Sequence, residues 1–298
     1  MIPEGWRGEG TLLFGGSGFL GSAILRLFPE MISAGRSVPA APNRHIPVPD
    51  FGDLSALRDV EFERVICCTG SSRHVELMKQ PLPEALESQM MPSVLLLEQL
   101  QERPLRAFVR LSTVLLYDEM RATMPVDEES PIAPYRNRYL LSQYLGEQSA
   151  QYYDRYFPVM TLRLCNLFGP SAAARTDLVH EIVTQLRSGG RATIRTRIPE
   201  RDFLFVEDGA RAVAALTWAE RGGIYHLGPD EAAAVGRVAD ILARLSGGTV
   251  QSREEPVQGI PSIHVNSGKL RAATGWRPRY SLEEGLAKTW GAAHAARH

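Results

Sequence analysis

The sequence predicts an α/β fold built on a doubly wound parallel sheet, followed by a smaller C-terminal region. Three observations predict it. Short apolar runs without alternation, such as Val65–Thr69 and Ala107–Ser112, read as strands covered on both faces. Between such runs, apolar residues recur at helical spacing. A glycine-rich turn joins the first strand to the first helix. Strands that alternate with helices form right-handed βαβ units, whose strands run parallel.

Each element follows from local pattern. Thr11–Phe14 is the first strand. Leu20, Ala23, Ile24, Leu27 and Phe28 lie on one helical stripe, and Pro29 stops that helix. Met31–Ala34 is the second strand. Ser93–Leu100 is the helical stretch between the runs at Val65–Thr69 and Ala107–Ser112. A long helix is expected over Pro134–Tyr153, and Val159–Cys165 is another apolar strand. Beyond Pro170 the pattern loosens into helices at Leu178–Arg187, Asp208–Ala219 and Val235–Leu245, with short strands among them. The expected division is residues 1–168, a dinucleotide-binding domain that carries the long helix, and residues 169–298, a smaller α/β substrate-binding region. The second part closes over the C-terminal ends of the strands, and the chain is free to cross between the two.

Composition excludes several classes of function. A net charge of −1 over 298 residues leaves no basic surplus for nucleic acid or an anionic membrane surface. No apolar run is long enough to span a bilayer. Met1–Gly10 carries Glu4, Arg7 and Glu9 where a signal peptide needs an apolar core, so a cytoplasmic location is expected. Cys67, Cys68 and Cys165 sit in apolar stretches and read as buried small hydrophobes in a reduced compartment. His74, His180 and His226 lack partners at ligand spacing, so no metal site is expected. The acidic run Asp127-Glu128-Glu129 reads as a solvated loop.

The first chemical motif is Gly15-Gly16-Ser17-Gly18-Phe19-Leu20-Gly21. Gly15 permits the tight turn, Gly18 lets a pyrophosphate approach the backbone, and Gly21 lets the helix pack on the sheet. Phe19 and Leu20 open the helix whose free N–H groups would meet the phosphates. The strand before and the helix after give this motif its dinucleotide reading. The second strand selects the cofactor. From Met31 to Pro49 there is no acidic residue to hold a ribose 2′-hydroxyl, and the strand ends Ala34-Gly35-Arg36-Ser37. The Arg36 guanidinium suits a 2′-phosphate, so NADP(H) is expected ahead of NAD(H).

Further segments extend the pattern: Gly52-Asp53-Leu54, Ile66–Gly70, Leu111-Ser112-Thr113 with Tyr117 four residues on, Tyr139 with Ser142 and Glu147, Leu162–Pro170, Arg201–Asp208, Thr274–Pro278 and Leu282–Leu286. In this order they resemble the extended short-chain dehydrogenase/reductase family, the NAD-dependent epimerase/dehydratase group that modifies nucleotide sugars, over nearly the whole chain. The resemblance implies a Rossmann-type fold and several roles. Asp53 and Leu54 would contact the adenine. Cys68, Thr69, Gly70 and Leu111 would border the cofactor, and Gln89 stands where the family has an Asn facing the nicotinamide. Tyr139 would carry the proton and Thr113, beside Ser112, would bind the substrate oxygen. Asn166 and Arg201 would hold the diphosphate of a nucleotide-diphosphate sugar, and Leu178 and Val179 the base. Pairing through the long helix would make a homodimer.

One departure governs the chemistry. Four residues after Tyr139 the family expects a lysine that binds the nicotinamide ribose and lowers the phenol pKa; here it is Gln143. Glutamine keeps the hydrogen bond and loses the charge, so the phenol stays near its ordinary value of about 10. A protonated phenol donates to a carbonyl and is a poor base toward an alcohol, which points to reduction. The acid–base pairs that dehydratases and 3,5-epimerases of the family add are replaced by Val114, Leu115 and Ser171. The expected activity is an NADP(H)-dependent ketoreductase acting on a nucleotide-linked keto sugar of the 4-keto-6-deoxyhexose type. Two alternatives stand beside it: a nucleotide-sugar 4-epimerase, against which Arg36 and Gln143 both count, and a non-catalytic NADP(H)-binding or sensor protein.

Overall fold

A computed structural model describes residues 2–70, 78–171, 175–257 and 260–295. His74 lies outside the described residues. The chain begins with β1 (Thr11–Phe14), wholly buried, then α1 (Phe19–Leu27), β2 (Ile32–Gly35), β3 (His45–Pro47) and β4 (Arg64–Cys67). It continues through α2 (Leu82–Gln89), α3 (Met91–Leu100), β5 (Ala107–Thr113), α4 (Arg138–Tyr152) and β6 (Val159–Leu164). The later part holds β7 (Asn166–Phe168), α5 (Leu178–Gly189), β8 (Arg191–Ile194), β9 (Glu200–Phe205), α6 (Val206–Leu216) and β10 (Gly223–Leu227). It closes with β11 (Ala232–Ala234), α7 (Val235–Ser246), β12 (Thr249–Ser252), β13 (Ser262–Ile263), α8 (Gly268–Thr274) and α9 (Leu282–Ala295).

A seven-stranded sheet in the order β3-β2-β1-β4-β5-β6-β10 forms the centre, every pair parallel. This is the doubly wound Rossmann-type sheet expected from the apolar runs. Strand order reverses between β1 and β4, and the crevice at such a reversal is where ligands bind. A smaller sheet centred on β9 pairs with β7, β11 and β13, and β12 pairs with β8.

The structure refines several boundaries. The helix expected over Pro134–Tyr153 begins at Arg138, because Pro134–Arg136 forms a separate 3-10 turn. Asn137 is extended and its side chain accepts from Leu140 N at 2.9 Å, capping the new start. The helix expected at Ser93–Leu100 starts at Met91, since Pro92 in its first turn lacks only an N–H that would be unpaired there. Strand β10 returns from beyond residue 168 to pair with β6, Leu227 against Leu164, and α6 packs Ala210, Val213 and Ala214 into the same core as Leu20, Ala23 and Ile24 of α1. In the acidic run, Asp127 and Glu129 are exposed, but Glu128 is half-buried and accepts from His226 N at 3.1 Å. The solvated reading is thus corrected at that residue: β10 brings an unpaired N–H to it.

A buried polar tie joins β5, β6, β10 and α4. Arg163 of β6 donates from Nε to Glu147 Oε1 at 3.0 Å and from Nη2 to Oε2 at 2.6 Å. Ser112 of β5 donates to the same carboxylate. Arg163 Nη1 also donates to the Tyr117 hydroxyl at 2.6 Å, which in turn meets His226 Nε2 of β10. Burial, with Arg163 nearby, holds His226 down to about 3, so its ring is neutral.

Glu147→Ala would strand the Arg163 charge in the core. Urea unfolding should show a loss of about 3–5 kcal/mol; a loss below about 1 kcal/mol would deny the tie its role. Asp202 gives a pH dependence. It is 1% exposed, accepts from Val265 N at 2.8 Å, and burial lifts its carboxyl to about 7 from 3.8. Between those values the folded chain holds a proton that the unfolded chain has shed. Its contribution to stability is therefore present at acid pH and lost as pH rises through about 7. Stability of wild type relative to Asp202→Asn should fall over that window, and parallel curves would refute it.

Candidate functional site

The site starts where β1 feeds α1. Gly15 has φ +85°, and a Cβ there would stand 2.6 Å from the Cys68 carbonyl oxygen. A Cβ on Gly21 would stand 2.2 Å from the Gly15 carbonyl oxygen. Both positions therefore require glycine. Gly18, extended at the helix N-cap, offers no side-chain cap, so first-turn N–H groups of α1 are left for a ligand.

A cleft of about 300 Å³ opens above the C-terminal ends of β1, β4, β5 and β6. One wall is Gly18, Phe19, Leu20 and Gly21; Cys68, Thr69, Gly70, Gln89 and Leu111 line the cleft further in, and Ser112, Thr113, Tyr139 and Gln143 also face it. Asn166, Leu178 and Val179 line the same cleft. The structure thus brings together residues that the sequence spreads from position 18 to 179. Five expected site residues do not line the cleft. Gly15 lies beneath the loop. Arg36 is exposed just past β2, 5.8 Å over the Phe51 ring. Asp53 is exposed and accepts from Ser55 N at 2.9 Å, while Leu54 is packed in the core. Arg201 donates to the backbone carbonyls of Glu200 (2.7 Å), Pro261 (3.1 Å) and Ile260, so its guanidinium holds a chain segment and leaves no fork turned to the cleft.

Tyr139 sits in the first turn of α4 and its phenol hydrogen-bonds the Thr113 hydroxyl. Thr113 Oγ1 also accepts from Leu115 N at 3.2 Å, which fixes its rotamer. Burial raises the Tyr139 phenol above its ordinary value, opposed by the Thr113 hydrogen bond and the Arg110 charge. The Ser112 hydroxyl is committed to Glu147, which makes it a strut for α4. Gln143 is 7% exposed; its Nε2 donates to Gln89 Oε1 at 3.0 Å, and its Oε1 has no partner among the described residues. That orphaned acceptor beside a glycine cradle fits a dinucleotide, whose ribose hydroxyls are donors.

The structure adds residues that sequence reading missed. Arg175 lines the cleft, donates to Asp177 at 2.6 Å and lies 3.7 Å over the Phe19 ring. Asp177 caps α5 through His180 N, a signal legible as an Asp just before an apolar-periodic helix. Arg175 carries no such signal. Leu164, Cys165, Phe168 and Phe203 supply apolar lining from β6, β7 and β9. No group of three or more metal-ligating side chains occurs among the described residues.

A glycine cradle at the strand-order reversal and a Tyr–Thr pair facing it define a dinucleotide-binding protein of the short-chain dehydrogenase/reductase type. Residues 11–228 match the NAD dependent epimerase/dehydratase family, and the chain belongs to that family. Curated relatives include GDP-L-fucose synthase of Sinorhizobium fredii, 27% identical over 57% of this chain and 59% of the relative. dTDP-D-glucose 4,6-dehydratase of Mus musculus is 30% identical over 55% of this chain and 49% of its own. The chain thus aligns with about half to three-fifths of the length of these relatives. Among solved structures, a UDP-glucose 4-epimerase of Thermotoga maritima with UDP-glucose superposes with TM-score 0.85 at 20% identity, covering 97% of this chain and 99% of that one. MoeE5 in complex with UDP-glucose and NAD superposes with TM-score 0.84 at 19% identity, covering 98% and 100%. At these identities the likeness shows the fold.

Gly21→Ala should displace the turn and weaken dinucleotide binding by more than about tenfold, or about 1.4 kcal/mol, in a fluorescence titration. An unchanged affinity would mean that the cradle does not hold the ligand.

Proposed function

We propose that the chain is an NADP(H)-dependent ketoreductase acting on a nucleotide-linked keto sugar of the 4-keto-6-deoxyhexose type. The observation that carries this reading is the Tyr139 phenol, hydrogen-bonded to Thr113 and raised by burial, with an amide at Gln143 one turn along the helix in place of an ammonium. Such a phenol is protonated at neutral pH and suited to donate. Bound in the cradle, the reduced nicotinamide would supply a hydride to the substrate carbonyl carbon. Tyr139 passes its proton to the carbonyl oxygen, Thr113 orients that oxygen, and the phenolate regains a proton from solvent. Gln143 Oε1, its amide held by Gln89, accepts a ribose hydroxyl and fixes the cofactor in register.

Arg36 supports the NADP(H) preference: it stands exposed at the end of β2 with no acidic residue from Met31 to Pro49 to compete for it. The exposed Asp53 would border the adenine end from the neighbouring loop, while Leu54, packed in the core, is assigned no contact. The relatives named above act on GDP- and dTDP-linked sugars, which supports a nucleotide-diphosphate sugar as substrate. Asn166 faces its diphosphate and Leu178 and Val179 its base; Arg201, held on three carbonyls, is assigned no contact. A homodimer would form on the outer face of α4, where Tyr152 is half exposed. Among the described residues no helix is long and apolar enough to cross a membrane, and the enzyme would work in the cytoplasm.

NADPH consumption with dTDP- and GDP-linked 4-keto-6-deoxyhexoses tests the reading. Turnover is expected, and Tyr139→Phe should lower it by about 10²-fold or more. NADPH binding without turnover in either protein would favour the sensor alternative. Gln143→Lys should shift the activity–pH profile toward alcohol oxidation, and an unmoved profile would deny the missing charge its importance. Arg36→Ala should weaken NADPH by about tenfold while sparing NADH; equal effects on both would place the 2′-phosphate elsewhere.

A further inference from the structure

Arg110 is a buried ion to which the mechanism above gives no task. It lies on β5 three residues before Thr113, on the strand face shared with Ser112, and 1% of its surface is exposed. Its Nε and Nη1 have no hydrogen-bond partner among the described residues. The neighbouring carboxylate, Glu147, already accepts from Arg163 and Ser112 on its two oxygens. A guanidinium left in the core on these terms destabilises the fold, and an apolar side chain of similar volume would ordinarily serve stability better.

Helix α4 is shaped to admit this ion. A Cβ on Gly146 would stand 2.7 Å from Arg110 Nη2. Gly146 is seven residues after Tyr139 and three after Gln143, so the three share one helix face. The guanidinium therefore lies against the face that carries the phenol, one turn beyond the amide that stands where a cation is expected. The titratable and charged groups around Arg110 are Glu147 and Tyr139 of α4, Cys67 of β4 and Arg163 of β6. Those acting on Tyr139 are the Thr113 hydroxyl and Arg110.

We propose that Arg110 is a positioning residue that supplies, from its place against Gly146 on the Tyr139 face of α4, a fixed positive charge that acts on the Tyr139 phenol, while Gln143 keeps only the hydrogen bond to the ligand. The two tasks of a single lysine are thus divided between a strand residue and a helix residue. In the low dielectric under α4 such a charge is weakly screened. It favours the phenolate that exists after proton donation, yet at this remove it does not overcome burial, so the resting phenol stays protonated. The catalytic meaning of this assignment rests on Tyr139 as the proton carrier.

The test places 3,5-difluorotyrosine at position 139 of the full-length protein and reads phenol ionisation by ¹⁹F NMR, without substrate or cofactor. Arg110→Met should move the titration to higher pH, and Arg110→Lys should hold it near the parent. Where Met is not tolerated, Arg110→Gln puts the same question. An ionisation curve unmoved by loss of the guanidinium overturns the proposal, even in an active ketoreductase. A moved curve in a chain that reduces no keto sugar sustains the electrostatic role and overturns the function instead. Thermal unfolding separates a structural role, which would lower stability without moving the curve.

Discussion

The bidentate pair between Arg163 and Glu147 fixes the geometry on which the site depends. It bolts α4 to β6, and through Ser112 to β5, with both fork contacts made at 3.0 Å or less. Two parallel hydrogen bonds set the rotation of a helix as well as its distance, which one contact cannot do. Tyr139 and Gln143 stand two turns and one turn before Glu147 on that helix, so their aim into the cleft follows from the same pair. A buried ion pair adds little to net stability compared with apolar packing. Its consequence here is placement.

The glycine cradle is the second constraint, and it is steric. Gly15 and Gly21 bring the turn within van der Waals reach of the Cys68 and Gly15 carbonyls, so β1 and α1 meet with no room for a side chain. The same closeness leaves the first-turn N–H groups of α1 facing the cleft at the strand-order reversal. The cradle and the Tyr139–Thr113 pair thus line one crevice, one positioned by backbone and the other by the buried pair. Around Tyr139 the cleft presents a phenol, a hydroxyl and two amides, with Arg110 buried against Gly146 of the same helix.

Local pattern made much of this legible. Thr11–Phe14 is the strand its four apolar-compatible residues predict, because a central parallel strand buries every side chain. The glycine spacing located the cradle, and Gln143 could be read as the missing charge because the family that the chain resembles has a lysine four residues after the tyrosine. What local pattern does not encode is non-local pairing. Strand β10 joins the main sheet through partners about sixty residues away, and nothing in Gly223–Leu227 says which edge it will choose. Arg201 looked free for a diphosphate because backbone carbonyls at 260 and 261 leave no trace in side-chain chemistry. Arg110 lies inside an apolar run with nothing local to mark it, and only the missing side chain at Gly146, where a Cβ would stand 2.7 Å from Arg110 Nη2, shows why the strand can bury it.

The central claim is that Tyr139, deprived of an adjacent ammonium and buried, works as a proton donor and poorly as a base. The most direct measurement is the pH dependence of both directions in the wild-type protein: NADPH-driven reduction of a dTDP-linked 4-keto-6-deoxyhexose, and NADP⁺-driven oxidation of its alcohol. The account predicts reduction that is flat through neutral pH and oxidation that emerges only in strongly alkaline solution. Oxidation that rises through neutral pH would reveal a phenolate there and contradict it.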